Sequence, residues 1–322
     1  MEIKHNHSSS GEYLYCPFCK KYSKEFLPFG LDIPVLKEKN VVGGGYRLNA
    51  MCPHCHSIDR ERLIYLYLKN KKADLFSLDK KFKLLHIAPE ENLQNVLIAQ
   101  PNIEYLSADL TSPLAAVRMD ITDIKFKDNY FDVIICNHVL EHIPDDRKAM
   151  TELYRVLKPG GFAILQVPIA LALDQTYEDP SITSPEEREK MFGQSDHVRL
   201  YARDYRDRLE KVGFSVEQYS FANEFGESVL HQYGLSKEES IYICSKSGCS
   251  DEFKNNQEVE CNEDNIYLNR SQASYPIEEE ISYYKKLPIT PVGISKDKVP
   301  NKLDANMSDA ELVAFYSERY VD

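Results

Sequence analysis

The chain contains no tryptophan among its 322 residues, so any aromatic surface it offers a ligand is built from 21 tyrosines and 14 phenylalanines. No run approaches the ~18 consecutive apolar residues that a membrane-crossing helix requires. The opening residues, MEIKHNHSSSGEYLYC, include no apolar stretch of the kind a secretory signal carries, and the expectation is a cytoplasmic protein. There is no internal repeat. Positive charge is also short: 39 Lys and Arg face 51 Asp and Glu, a formal net charge of −12. The imbalance is uneven. Residues 1–85 carry 15 basic against 9 acidic side chains, residues 86–249 carry 16 against 27, and residues 250–322 carry 8 against 15. An acidic body argues against extensive wrapping by nucleic acid, and the basic N-terminal part leaves room for a local contact. What is present, 43% hydrophobic and 28% charged residues, is the composition of a globular chain.

Four of the eight cysteines form two C-x-x-C pairs, Cys16/Cys19 and Cys52/Cys55. Without a secretory signal, such pairs read as metal binding before they read as a disulfide framework. A C-x-x-C turn lets two sulfurs point at one ion, and zinc takes four such ligands tetrahedrally. A proline follows the first cysteine of each pair, as in two zinc knuckles, so residues 12–60 are expected to form a zinc-ribbon-like module with Zn2+ held by all four thiolates. His54 and His56 are spare ligands. Between the pairs lie Pro28, Gly30, Pro34 and Gly43-Gly44-Gly45, too many turn formers for a long helix.

Helical patterning begins at residues 59–70. From there strand candidates alternate with helix candidates: strand 82–88, helix 90–99, strands 103–107, 116–120 and 131–136, then helix 145–157. Lys158-Pro159-Gly160-Gly161 should stop that helix. Strand 162–167, helix 201–212 and strands 214–219 and 241–244 follow. This alternation implies an α/β fold with a mainly parallel sheet and helices on both faces, which binds ligands beyond the carboxyl ends of its strands. No G-x-G-x-x-G follows the first strand, which argues against a nicotinamide dinucleotide site. Residues 168–200 interrupt the alternation as a long insertion, of the kind that closes over a site or has no fixed structure. The tail from residue 250 is polar and acidic. Its one clear signal is the capping box Ser308-Asp309-Ala310-Glu311 before an apolar face of Leu312, Val313, Phe315, Tyr316 and Tyr320, a helix over 308–320 that suits docking to the chain's own body or to a protein partner.

The segment FDVIICNHVLEHIPDDRKAMTELYRVLKPGGFAILQVP, residues 131–168, resembles class I S-adenosylmethionine-dependent methyltransferases of the type 11-like group. The resemblance covers roughly residues 80–245. It implies a Rossmann-like sheet of seven strands in a domain spanning 61–249, with 168–200 as a lid and 250–322 as an extension. It also implies S-adenosyl-L-methionine as cofactor. Asp109, ending the second strand, would then accept from the ribose hydroxyls. Asp120 would accept from the adenine amino group, with the Ile121 backbone on the ring edge. The first loop, LLHIAPEENL, departs from the usual acidic residue and glycines: His86, Ala88 and Glu90 stand in their places. The sequence looks like a subgroup with this LHxAPE loop and an N-terminal zinc ribbon, in which the backbone of 88–91 faces the methionine moiety and Glu90 pairs with its amino group.

Methyl transfer to a hydroxyl also needs the acceptor's proton removed. Asn137, His138, Glu141 and His142 lie at the end of the fourth strand, beside the expected methyl position. His138 is a candidate base, and His197 in Asp196-His197-Val198-Arg199 is another. His142 and Arg199 are candidates for the acceptor side, Arg199 as a fork for an anionic group. Tyr177, Phe192 and Tyr201 could stack on a ring. Cys136 reads as a buried strand residue, and Cys244, Cys249 and Cys261 lack metal spacing. The expected activity is methyl transfer to a small-molecule or glycan acceptor. An RNA acceptor contacted by the ribbon and a catalytically silent binding protein of the same fold are the alternatives.

Overall fold

The structure, a computed structural model, describes residues 13–247. The expected helix at 308–320, the rest of the tail, Cys249, Cys261 and the first twelve residues lie outside that range.

The described residues begin with small antiparallel pairs. Strands β1 (Leu14–Tyr15) and β2 (Tyr22–Ser23) form one hairpin. After β3 (Leu27–Phe29), the five-residue helix α1 (Pro34–Glu38) and β4 (Val41–Val42), strand β5 (Arg47–Met51) returns to pair with β3. Helix α2 (Asp59–Lys71) follows. The sheet then builds through β6 (Phe82–Ile87), α3 (Glu91–Ile98), β7 (Ile103–Asp109), the two-residue β8 (Val117–Arg118), β9 (Phe131–Asn137), α4 (Asp146–Val156) and β10 (Leu157–Gln166). Next come β11 (Ile169–Ala170), β12 (Tyr177–Glu178), α5 (Pro185–Phe192), β13 (Arg199–Leu200), α6 (Tyr205–Glu210), β14 (Ser215–Ser220), α7 (Phe221–Tyr233) and β15 (Ser240–Ser245).

Seven strands form one sheet in the order β14-β15-β10-β9-β6-β7-β8, which is a Rossmann-like methyltransferase arrangement. The pairs from β10 to β8 are parallel, and β15 runs antiparallel between β10 and β14. Both faces are covered, as the buried β-branched runs require. Successive side chains alternate between two cores. Leu85, Ile134, Cys136 and Leu165 pack on α4 and α6 on one face. Leu84, Val133, Ile135 and Ile164 pack on α2, α3 and α7 on the other.

Three elements differ from expectation. Strand β10 starts at Leu157 and carries the Lys-Pro-Gly-Gly stretch as an irregularity, because Leu157 pairs with Phe131 while Phe162 already pairs with Val133. Helix α6 starts four residues late because Tyr201 is held in an extended bridge, its carbonyl accepting from Ala170 N at 2.8 Å. Helix α7 was not expected: Gly226 breaks the pattern with φ of 77°, while Ser220 caps the start by accepting from Asn223 N.

The insertion 168–200 is ordered and tied to the N-terminal segment. Strand β11 pairs with β4, and Leu171 N and Ala172 N donate to Asn40 and Lys39 carbonyls. Ser184 caps α5, and Gly193 ends it in the left-handed region at φ 88°. A Cβ on Gly193 would lie 2.2 Å from Leu36 Cδ2 of α1. Gly193→Ala is therefore expected to destabilise by about 1–3 kcal/mol, through strain and overpacking together, read as a lower denaturant midpoint at unchanged slope.

One side chain fastens the N-terminal hairpins to the sheet. Arg62 of α2 is fully buried. It donates to the carbonyls of Tyr233 at 2.8 Å, Ala50 at 2.9 Å and Gly234 at 2.9 Å, and also to Ser57. Its guanidinium carbon lies 4.7 Å from the Phe26 ring centroid.

Candidate functional site

The strand order reverses direction at β6, which has β7 on one side and β9 on the other. The crevice at such a point, outside the carboxyl ends of the strands, is where open α/β sheets bind ligands. The loop leaving β6 keeps a tight path without glycine: Ala88 sits at φ 44° and its N–H donates to Ala108 O at 2.8 Å. Alanine accepts here a conformation that glycine would adopt more cheaply.

His86 and Glu90 do not stand open to a ligand. The fully buried His86 contacts Tyr105 Oη through Nδ1 at 2.9 Å and Glu90 Oε2 through Nε2 at 3.1 Å. Glu90 also accepts from Asn137 Nδ2 at 3.2 Å and has Arg60 Nε 3.6 Å away. Burial would raise the Glu90 carboxyl, but the His86 hydrogen bond and the charges of His86 and Arg60 hold it below its ordinary value. Glu90 thus bridges the β6 and β9 loops, its carboxylate already engaged by His86 and Asn137. Behind it, Glu61 accepts from Ile58 N at 2.8 Å and Asn92 N at 3.2 Å, and burial with Glu90 nearby pushes it up to about 7.

Asp109 lies at the end of β7, and its Oδ1 accepts from Thr111 N and Ser112 N, each at 2.8 Å. Asp120 makes the same kind of turn with Thr122 N at 2.8 Å and is exposed. Oδ2 of each lies outside these turn bonds. The Ile121 side chain is in the core, so only its backbone faces the loop. Asn137, buried at the end of β9, leaves Oδ1 with no partner. That orphaned acceptor sits where the loops after β6 and β9 meet.

A second group forms beyond β9. His138 (φ 53°) is largely buried, its side chain 10% exposed, with Nε2 unpartnered, and desolvation lowers its pKa. Its Nδ1 lies 3.4 Å from Glu141 Oε1, without the alignment of a hydrogen bond. Glu141 and His142 belong to a 3-10 turn, Leu140–His142. Glu141 is 1% exposed and neither carboxylate oxygen has a hydrogen-bond partner. His142 Nδ1 meets Asp196 Oδ2 at 2.9 Å; burial lowers its pKa, but the Asp196 bond and the nearby carboxylates outweigh that and raise it. His197 packs edge-on against His142 with centroids 4.6 Å apart, its Nδ1 3.3 Å from Phe192 O. Burial pushes His197 down to about 4.

Arg199 does not offer an open fork. It donates to Glu178 at 2.9 Å and to the carbonyls of Leu140, Ile143 and Pro144 at 2.6–2.9 Å. It fixes the turn that carries Glu141, and the donors expected for an anionic group serve these carbonyls and Glu178. Tyr201 is likewise core, bonded to Asp146 at 2.7 Å.

His138, Glu141, His142, His197 and Arg199 line a cavity of about 120 Å³ whose other walls include Gly43–Gly45, Arg47, Arg60 and the end of α5. Of these wall residues, Gly43–Gly45, Arg47 and Arg60 were missed in the sequence, whereas Phe192 at the end of α5 was expected near a ring. The three consecutive glycines were the available signal, since a Cβ on Gly43 would come within 3.5 Å of the His138 ring.

On the far side of the N-terminal segment, Cys16, Cys19, Cys52 and Cys55 converge, with all four sulfurs within 4.8 Å of one another. Cys16 and Cys55 sulfurs are 3.5 Å apart and Cys19 and Cys52 sulfurs 3.8 Å, with no disulfide. Four sulfurs around one ion at ~2.3 Å would lie about 3.8 Å apart, so the donor set fits a tetrahedral cation. His54 N points at Cys52 Sγ at 3.5 Å. Among the described residues, no helix is long and apolar enough to cross a membrane.

Residues 63–165 match the family described as Methyltransferase domain. The ubiquinone/menaquinone biosynthesis C-methyltransferase UbiE of Brucella canis is 27% identical over 175 residues, 49% of this chain and 58% of the relative. Its counterpart in Vibrio cholerae is 30% identical over 130 residues, 36% of this chain and 49% of the relative. The chain thus spans about half the length of the curated relatives it matches. A solved structure, a SAM-dependent methyltransferase from Archaeoglobus fulgidus, superposes with a TM-score of 0.37 at 16% identity, covering 58% of this chain and 94% of that one.

Proposed function

We propose that the chain, with its methyltransferase domain at residues 63–165, is an S-adenosylmethionine-dependent methyltransferase. Its acceptor is a small molecule or a glycan end, and its four-cysteine cluster holds zinc. The observation that carries the acceptor class is the cavity. At about 120 Å³ it approaches the volume that takes up benzene, and residues of 29–45 and 192–200 supply most of its walls. A compact acceptor fits such a site better than a nucleic-acid strand. The relatives' names, which place them in ubiquinone and menaquinone biosynthesis, agree with a small-molecule acceptor.

S-adenosylmethionine supplies a methyl group on a positively charged sulfur, ready for in-line transfer. The chain's residues fit it. Asp109 has a carboxylate oxygen that would serve the ribose diol, Asp120 has one that would serve the adenine amino group, and the unpartnered Asn137 Oδ1 would accept from the cofactor's ammonium group. At the cavity wall, desolvation lowers the pKa of His138 and so favours the neutral ring, with Nε2 unpartnered, the form in which an imidazole accepts a proton from an acceptor hydroxyl. Residues of 29–45 and 192–200 wall the cavity around that exchange.

Calorimetric titration with S-adenosylhomocysteine tests the cofactor. Micromolar binding is expected, weakened roughly 10- to 100-fold in Asp109→Ala by loss of charge-assisted hydrogen bonds. A folded, zinc-replete sample that shows no heat of binding would overturn the reading.

A further inference from the structure

Glu141 is a buried carboxylate with an unmet need. A carboxylate withdrawn from water is costly unless it is paired or bound to a metal. Both of its oxygens lack hydrogen-bond partners, and the side chain lines the cavity. The groups facing it are imidazoles: His138 Nδ1 at 3.4 Å from Oε1, and the rings of His142 and His197. One ligand atom from each of Glu141, His142 and His197 lies within 4.8 Å of the others.

The surroundings of the two histidines are those of metal ligands. A ligating histidine commonly donates its other ring N–H to a carboxylate or a backbone carbonyl, which fixes the ring and its tautomer. His142 Nδ1 meets the Asp196 carboxylate at 2.9 Å, and His197 Nδ1 meets the Phe192 carbonyl at 3.3 Å. Nε2 of each ring is then the nitrogen left for a ligand. The turn is held in place by Arg199, which bonds the carbonyls of Leu140, Ile143 and Pro144. Glu141 O accepts from Val198 N at 3.0 Å, locking the turn to the strip that carries His197.

We propose that Glu141, His142 and His197 form a second metal site, separate from the cysteine cluster, for a divalent first-row transition ion. Two imidazoles and a carboxylate suit zinc, iron(II) or cobalt(II) better than calcium or magnesium. Three protein ligands leave coordination positions open, and the open side is the cavity. Resting on the methyltransferase reading, those positions would take a hydroxyl or carboxylate oxygen of the acceptor. Metal uptake itself does not depend on that reading.

The probe is cobalt(II), added to full-length protein whose cysteine cluster already carries zinc. One equivalent is expected to bind, with visible ligand-field bands and without the near-ultraviolet thiolate absorption that a cysteine site gives. Glu141→Gln and His197→Ala are expected to weaken uptake at least ~100-fold, and Asp196→Asn, acting through His142, roughly 10-fold. S-adenosylhomocysteine titration and thermal unfolding of each variant run alongside, so a failed cofactor site and a failed metal site read differently. Should Glu141→Gln misfold, His197→Ala and Asp196→Asn decide. Absence of cobalt binding by the wild-type protein, or uptake unchanged in the folded variants, would overturn the proposal.

Discussion

Arg62→Ala should cost about 3–5 kcal/mol of unfolding free energy, enough to lower the melting temperature by roughly 10 °C in a chain of this size. The guanidinium is fully buried and serves four backbone carbonyls, those of Ala50, Ser57, Tyr233 and Gly234. Removing it takes a donor from all four; Ser57 O keeps Cys52 N at 2.9 Å, and each buried carbonyl left without a partner costs on the order of 1–3 kcal/mol before the structure relaxes or admits water. The same change removes the cation lying on Phe26 and opens a void between the hairpins and α7. Arg62→Lys should rescue little, because one ammonium cannot reach carbonyls on three sides. Arg62→Met separates the terms: it keeps most of the packing, so its loss relative to wild type measures the orphaned carbonyls. Denaturant unfolding of the three variants gives the comparison. A loss below about 1 kcal/mol for alanine would mean that water replaces the guanidinium without strain.

Arg62 also shows where the sequence was readable and where it was not. The sheet was legible because its signals are local: Val133-Ile134-Ile135 announces a buried strand, Asp145 caps α4 by accepting from Lys148 N at 3.0 Å, and the two C-x-x-C pairs announce their own convergence. Arg62 gives no such signal. It occupies an ordinary place in a charged helical run, and its partners lie up to 172 residues away. The candidate site divides in the same way. Asp109 and Asp120 stand at strand ends, which the alternation of elements located. His86 and Glu90 were expected to meet a ligand, but an i, i+4 pair across a strand end is free to bond internally, and it does so at 3.1 Å. Arg199 resembles an anion clamp in sequence and acts as a brace in space, because the carbonyls it serves come from a turn more than fifty residues earlier. The insertion 168–200 is ordered for a non-local reason too: β4 supplies the partner for β11.

Cys52→Ser is expected to remove the cation from the cysteine cluster and to unfold the hairpins around it while the sheet stays folded. Cys52 is completely buried, and its sulfur lies 3.8 Å from that of Cys19. Serine offers oxygen where the ion needs a thiolate, and binding energies of roughly 10–16 kcal/mol for structural zinc are in effect folding energy. The apolar cluster beneath the cysteines consists of Leu14, Phe26, Cys16 and Cys52, too small to hold the hairpins alone. The two cores of the sheet draw on none of these residues. Zinc analysis should therefore show one equivalent fewer, and proteolysis should cut first within the hairpins and the loop to Gly45. The larger consequence is functional. Gly43–Gly45 and Arg47 form one wall of the cavity beyond β9, whereas Asp109 and Asp120 follow β7 and β8, farther along the sheet, and do not line it. S-adenosylhomocysteine should bind the variant nearly as well as the wild type, while cobalt uptake at Glu141 and any acceptor turnover should fall because water floods the cavity. Equal loss of cofactor binding would instead show that the hairpins hold the whole sheet together, and the N-terminal segment would then be a folding clamp rather than a cavity wall.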